Sequence, residues 1–259
     1  MKRKRNKEKR IDPLSYRERH YRQRVTTDGL IPYRVTVCET DLLILADHDV
    51  REDATRLVLH YRSQLEGYIS RFPDFLSSLV PLPEDTLACP IARAMLWAGR
   101  VAGVGPMAAV AGAIAEYVGT DLIRSGVTGE ILIENGGDIF VSRQRSCSVA
   151  IYSGASPLSN RIGIRISTAL MPLGVCTSSG TIGHSLSFGQ ADSVTVLARS
   201  TPLADAAATR IGNEIKARTD IEHALAVARA LPGLIGVVIV HHDQLGIWGD
   251  IELVPLTGG

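Results

Sequence analysis

Glu134-Asn135-Gly136-Gly137-Asp138-Ile139 is the stretch whose reading decides the fold. It lies between residues 130–134 and 139–142, two short runs rich in Ile, Leu, Phe and Val. Branched and aromatic side chains at that density fit a pleated, half-buried surface. Asn-Gly is a strong hairpin signal, because the two central positions of a tight turn need positive φ. The stretch therefore reads as a hairpin turn. Consecutive glycines also let a ligand approach the backbone closely, so a ligand-facing reading of Asn135, Gly136, Gly137 and Asp138 stays open beside it.

Working outward, the chain keeps alternating strand and helix signals. Residues 31–39 and 41–46 read as strands joined by a turn at Thr40, and residues 49–72 as an amphipathic helix. Pro73, Pro81 and Pro83 punctuate the connection to a helix over 88–104. Gly105-Pro106 restarts the chain, and a helical stripe follows from Met107 to Leu122. Ala and Gly fill the rest of that helix, which suits either tight helix–sheet packing or close approach of a ligand. Residues 148–152, 162–167 and 194–198 are further strand-like runs. Thr201-Pro202 opens another helix, with Thr as N-cap and Pro in the first turn. Residues 221–231 read as helix, and 234–240 with 245–248 as a hairpin around His242-Asp243.

Composition supports a globular α+β chain. Of 259 residues, 45% are hydrophobic and 21% charged, ordinary values for a globular protein. Net charge is +1, but unevenly spread: residues 1–24 hold 11 of the 28 Lys/Arg and 3 of the 27 Asp/Glu. Those residues read as a basic, solvated arm. A basic run binds phosphate without sequence preference, and no nucleic-acid recognition motif accompanies it. Cys38, Cys89, Cys147 and Cys176 form no C-x-x-C pair and no zinc spacing. Free thiols and the lack of an apolar leader point to the cytoplasm. The most apolar stretch, 101–118, is broken by glycines and a proline and carries Glu116, so no membrane span is expected.

Two further blocks could carry chemistry. Gly174-Val175-Cys176-Thr177-Ser178-Ser179-Gly180 reads as a small-residue loop whose hydroxyls and N–H groups suit phosphate oxygens. It lacks the Gly-Lys-Ser/Thr ending of a Walker loop. His184 follows as a candidate base. Cys176 is either an inert buried thiol or, with a lowered pKa, a nucleophile. In Ala204-Asp205-Ala206-Ala207-Ala208-Thr209, Asp205 and Thr209 share one helix face at i, i+4. A carboxylate and a hydroxyl there could serve Mg²⁺, with waters or phosphates completing the octahedron. The bland alternative is an Asp in the first helical turn beside a packed Thr.

In this order the blocks resemble the ApbE-like superfamily, whose best-known members are flavin transferases. Those enzymes bind FAD and Mg²⁺ and attach FMN to a protein threonine. Residues 105–119 and Asn135–Asp138 resemble that family's helix and N-x-G-G-D turn. Residues 175–180 resemble its A-T-S-G loop, with Cys176 at the Ala and one extra Ser. Residues 204–209 resemble its A-D-A-x-x-T metal motif. Gly105-Pro106-Met107-Ala108-Ala109-Val110-Ala111-Gly112, Cys176-Thr177-Ser178-Ser179-Gly180-Thr181 and Glu39-Thr40-Asp41-Leu42 resemble one branch of it more closely.

The resemblance implies an α+β fold, a T-fold-like antiparallel sheet with packed helices, over residues 25–259 as one domain behind the arm of residues 1–24. It implies Mg²⁺ on Asp205 and Thr209. It implies FAD, FMN or a related pyrophosphate on Asn135, Gly136, Gly137, Asp138, Thr177, Ser178, Ser179 and Gly180. His184 and Cys176 are the candidate catalytic residues. The implied chemistry is flavin transfer to a protein acceptor, or pyrophosphate hydrolysis. One departure stands out: where flavin transferases carry H-x-x-D-P-x-T-G, this chain has His184-Ser185-Leu186-Ser187-Phe188-Gly189. Two alternatives follow, a sulfur-assimilation role toward homocysteine using Cys176, as associated with some relatives in this branch, and a non-catalytic flavin carrier. An oligomer is compatible with either.

Overall fold

The computed structural model describes residues 29–180 and 189–256. The basic arm and the segment holding His184 lie outside the described residues.

Eight antiparallel strands form the main sheet. They are β1 (Ile31–Val37), β2 (Thr40–Ala46), β3 (Ile131–Asn135), β4 (Asp138–Ser142), β7 (Leu173–Ser178), β8 (Ser193–Ala198), β9 (Leu234–His241) and β10 (Gln244–Gly249), side by side in that order. The excursion between β4 and β7 supplies β5 (Cys147–Ala150) and β6 (Ile162–Ile166), which join β11 (Glu252–Pro255) in a second sheet of order β11-β6-β5. The expected α+β architecture is the one observed.

The central hairpin closes as its sequence demands. β3 and β4 pair up to Asn135↔Asp138, leaving Gly136 and Gly137 as the turn, with φ of 71° and 109°. The first hairpin corrects the sequence expectation. Val37 pairs with Thr40, so the turn is Cys38-Glu39 and Thr40 opens β2. Cys38 takes the positive φ of 51°, and the β-branched Thr stays in the strand it favours. Arg62 Nη1 holds the Thr40 hydroxyl at 3.1 Å.

Helices cover one face of the main sheet. α1 (Arg51–Arg71), the short α2 (Asp74–Ser77), α3 (Pro90–Ala102) and α4 (Val110–Arg124), the last entered through a 3-10 turn at Pro106–Ala109, pack on the β1–β4 half. α5 (Thr201–Asn213) and α6 (Ile221–Ala230) pack on the β7–β10 half. Side chains alternate across each strand. Ile133 and Phe140 point to the helices, whereas Leu132, Val141, Val175 and Val238 point to Val149, Ile164 and Ile166 of the second sheet. The slim face of α4 resolves as tight packing: a Cβ on Gly119 would lie 2.4 Å from the Phe140 ring.

Two more expectations need correction. Residues 174–178 are not a loop but the greater part of β7, paired with β4 and β8 on both sides. Thr177 adds a cross-strand hydroxyl contact to Thr195 at 2.9 Å, a recognised unit of sheet stability. Ser200 rather than Thr201 caps α5, its Oγ accepting the Leu203 N–H at 3.4 Å. Thr201 is then the first helical residue, and Pro202 falls where its missing N–H is not needed. Among the described residues no single helix is long and apolar enough to cross a membrane.

Candidate functional site

Asn135, Asp138 and Cys176 are neighbours across three strands, paired Asn135↔Asp138 and Asp138↔Cys176. All three are buried on the helix-covered face. Above this polar row sit the start of α4 and the first half of α5. Asn135 Nδ2 donates to the Ala111 carbonyl at 3.1 Å. Cys176 Sγ lies 3.5 Å from the Thr201 carbonyl and within hydrogen-bond reach of Asp138.

The two helices cap each other. The first turn of a helix carries N–H groups without intrahelical partners, and Ala109, at the N-cap of α4, has no side chain to serve them. Asp205 does so from α5: its Oδ2 accepts the Gly112 N–H at 2.9 Å, and the Ala111 N–H also bonds the carboxylate. In return Glu116 of α4 accepts the Thr201 N–H at the start of α5, at 2.5 Å. Early α4 meets mid α5 and mid α4 meets early α5, so the helices run antiparallel. Gly112 permits the approach, since a Cβ there would stand 2.6 Å from the Thr201 carbonyl oxygen.

Burial dominates the electrostatics. It pushes the Asp138 carboxyl well above its ordinary range, and the charge of Asp205 adds to the effect. It raises Asp205 to about 7 against the pull of the Gly112 and Ala111 N–H groups. Glu116 is raised for the same reason, with the Thr201 N–H opposing. Desolvation, then Asp138 and Asp205, push the Cys176 thiol up. Neighbouring carboxyls at a largely desolvated site resist double ionisation, so the pair favours a retained proton or a counter-cation.

The remaining sequence candidates separate. Ser178 lies two residues beyond Cys176 on the same face, and its Oγ is buried without a partner among the described residues. Thr177 turns its hydroxyl to the opposite face, toward Thr195. The Gly137 N–H is taken by Glu134 Oε1 at 2.7 Å, and the Gly180 N–H by the Ala191 carbonyl at 3.0 Å. Ser179 and Thr209 keep partial exposure, as does Asp205. Glu116 was missed by the sequence reading as a member of this cluster. Its only signal was a lone carboxylate in a helix of Ala, Gly and branched residues. Among the described residues no group of three His, Cys, Asp or Glu could hold a metal ion. A recess of about 320 Å³ lined by Asp53, Arg56, Asp121 and Arg124 lies elsewhere. Asp121 sits nine residues along α4 from Gly112, roughly 14 Å away.

Both the sequence and this architecture match known proteins. A family model described as AbpE bacteria matches residues 22–241. The chain belongs to this AbpE family. A UPF0280 protein of Methanocaldococcus jannaschii is 41% identical over 228 residues, covering 85% of this chain and 92% of that protein. A UPF0280 protein of Methanopyrus kandleri is 41% identical over 234 residues, covering 87% and 94%. Among solved structures, the flavin transferase ApbE of Vibrio cholerae superposes with a TM-score of 0.57 at 13% identity, covering 84% of this chain and 96% of that one. The flavinyl transferase ApbE of Pseudomonas stutzeri gives 0.56 at 14%, covering 87% and 94%. At those identities the likeness establishes a shared ApbE-type fold.

Proposed function

We propose that this AbpE-family chain binds a flavin nucleotide or a related pyrophosphate together with Mg²⁺, and transfers or hydrolyses it at phosphorus. The observation that carries the reading is Ser178 Oγ. A buried hydroxyl without a partner costs about 1–3 kcal/mol, yet this one sits on the face that holds Asp138 and Cys176, beneath α5. A ligand oxygen would satisfy it. The flavin transferases that share the fold make a flavin nucleotide the first ligand to test.

The donors present fit the cation. Asp205 and Thr209 would hold it, one helical turn apart on partly exposed positions. Mg²⁺ keeps several waters and takes one or two carboxylates plus substrate phosphates, so a three-carboxylate cage is not required. When bound, it would neutralise charge developing at phosphorus.

The chain's own residues account for the rest. Asn135 fixes the start of α4 through the Ala111 carbonyl, and Glu116 fixes the start of α5. Burial, with Asp205 beside it, raises the Asp138 carboxyl above the range of an exposed Asp, which disfavours a second negative charge in the site. Ser178 supplies a hydroxyl to ligand oxygens. The base and the protein acceptor belong to the proposal through His184 and the flavin-transferase likeness. Sulfur chemistry on Cys176 is the weaker reading, because burial and two carboxylates hold the thiol neutral.

The test is equilibrium binding of FAD to the purified chain with Mg²⁺ and with EDTA, read by flavin fluorescence. Mg²⁺-dependent binding that is lost in Asp205→Asn and weakened in Ser178→Ala supports the reading. Absence of binding in both conditions rejects it.

A further inference from the structure

The segment between α1 and α3 carries the four most exposed large apolar side chains among the described residues: Leu76, Leu79, Val80 and Leu87, the last 93% exposed. Phe72 at the end of α1 adds to them. This is not a loose coil that could fold its leucines inward. Phe75 is fully buried beneath it. Ser78 Oγ bonds both the N–H and the carbonyl of Val80. Asp85 accepts from Tyr68 at 2.9 Å and from the Leu87 N–H at 2.9 Å. Glu84 pairs with Arg100 of α3. The Ser78 carbonyl presses on Gly105 so closely that a Cβ there would overlap it at 1.8 Å. The strap is thus pinned at both ends of α3, at Gly105 and beside Tyr68, whose ring touches Phe72 at 4.8 Å. Its apolar side chains are held outward.

We infer that this strap is the interface of a two-fold dimer of this chain. Five side chains at about half exposure or more present roughly 500 Å² of apolar surface, and a stable interface takes ~800 Å² from each partner. Pro81 and Pro83 lie between them, exposed, and extend the face, while Leu82 packs inward on the core. An apolar patch of this size is often a functional contact surface. The rim explains why the occupant is protein rather than an anionic lipid surface. Its basic side chains, Arg71, Arg93 and Arg100, are matched by Asp74, Glu84 and Asp85, so no net positive field faces outward. A second copy brings the same balanced rim and apolar centre, which is what an isologous two-fold contact needs. The inference stands apart from the flavin reading, since no ligand enters it. The strap does press on Gly105, one residue before the 3-10 turn that leads into the capped start of α4, so the dimer contact would brace that wall of the site.

The experiment is sedimentation equilibrium of the full chain at micromolar concentration, beside Leu79→Glu/Leu87→Glu and the control Leu59→Glu. All three positions are exposed, and melting curves confirm folding. The expected result is a wild-type mass of twice 27.9 kDa, unchanged in the control, with association in the double variant weakened roughly 100-fold or more. Val80→Arg repeats the test at a third position. A monomeric wild type overturns the inference, and so does a dimer that survives both strap variants. Co-sedimentation of a monomeric wild type with anionic vesicles, lost in the double variant, overturns it in favour of lipid.

Discussion

Asp205 Oδ2 accepts the Gly112 N–H at 2.9 Å, so the carboxylate expected to hold a cation is also the N-terminal cap of α4. The two duties can be pulled apart. Asp205→Asn keeps an oxygen acceptor for Gly112 and removes the charge. Asp205→Ala removes both. Urea unfolding should show a loss of about 1–2 kcal/mol for the Ala variant and a smaller loss for Asn, while Mg²⁺-dependent FAD binding should fail in both. Equal stability in all three proteins would mean that the cap contributes nothing.

Ser178→Ala should separate binding from stability in the opposite direction. Removing an unpaired buried hydroxyl leaves stability unchanged or raises it by up to about 1 kcal/mol, and FAD affinity falls. Thermal melts and FAD titration on the same preparation check it. A clear loss of stability would show that the hydroxyl has a structural partner.

Gly112→Ala should be among the more damaging single-methyl additions to this chain. The new Cβ would meet the Thr201 carbonyl at 2.6 Å, in a contact fixed by two reciprocal caps. Overpacking of this kind costs about 1–3 kcal/mol. Gly174→Ala strikes the same turn from beneath, 2.5 Å from Thr201 Cα. Urea midpoints of both variants test the close approach of α4, α5 and β7.

The metal-free protein should lose stability as pH rises through the weakly acidic range. Asp205 and Glu116 both titrate higher folded than unfolded. Between the unfolded carboxylate value, about 4, and the folded one, about 7 for Asp205, the native state binds more protons. Stability is therefore greatest below that window and falls across it. Urea midpoints measured across the window in EDTA should decline, and Glu116→Gln should flatten the slope. A midpoint that climbs over the same range contradicts the burial argument.

Alkylation by iodoacetamide at neutral pH should reach the exposed Cys38 and spare the buried Cys176, whose thiol is held protonated. Mass spectrometry of the tryptic peptides decides it. Fast modification of Cys176 in the folded protein would revive the sulfur reading.

The readable part of this fold was local. Asn135-Gly136-Gly137-Asp138 announced its turn because the glycines take positive φ where other residues resist. The helices announced themselves by period. β7 was misread because its inward residues, Gly174, Cys176 and Ser178, are small or polar: they face the site rather than an apolar core. The Cys38-Glu39 turn was hidden because a non-glycine residue carries the positive φ. The reciprocal caps were illegible for a different reason. Gly112 and Asp205 are 93 residues apart, and nothing within either helix indicates that its partner would supply the missing acceptor. Asp205 and Asp138 were named as site residues, but the pressure of Asp205 on the Asp138 proton appears only once β4 lies beneath α5.

The second sheet sets an order of events during synthesis. β6 pairs with β5 at once, through a short connection, but its other edge waits for Glu252–Pro255. About 85 residues separate them, roughly 4–17 s of translation at 5–20 residues per second. Until then the edge of Ile162–Ile166 is an unpaired template beside a half-covered core. For that interval the place that β11 will fill is open to any stray strand.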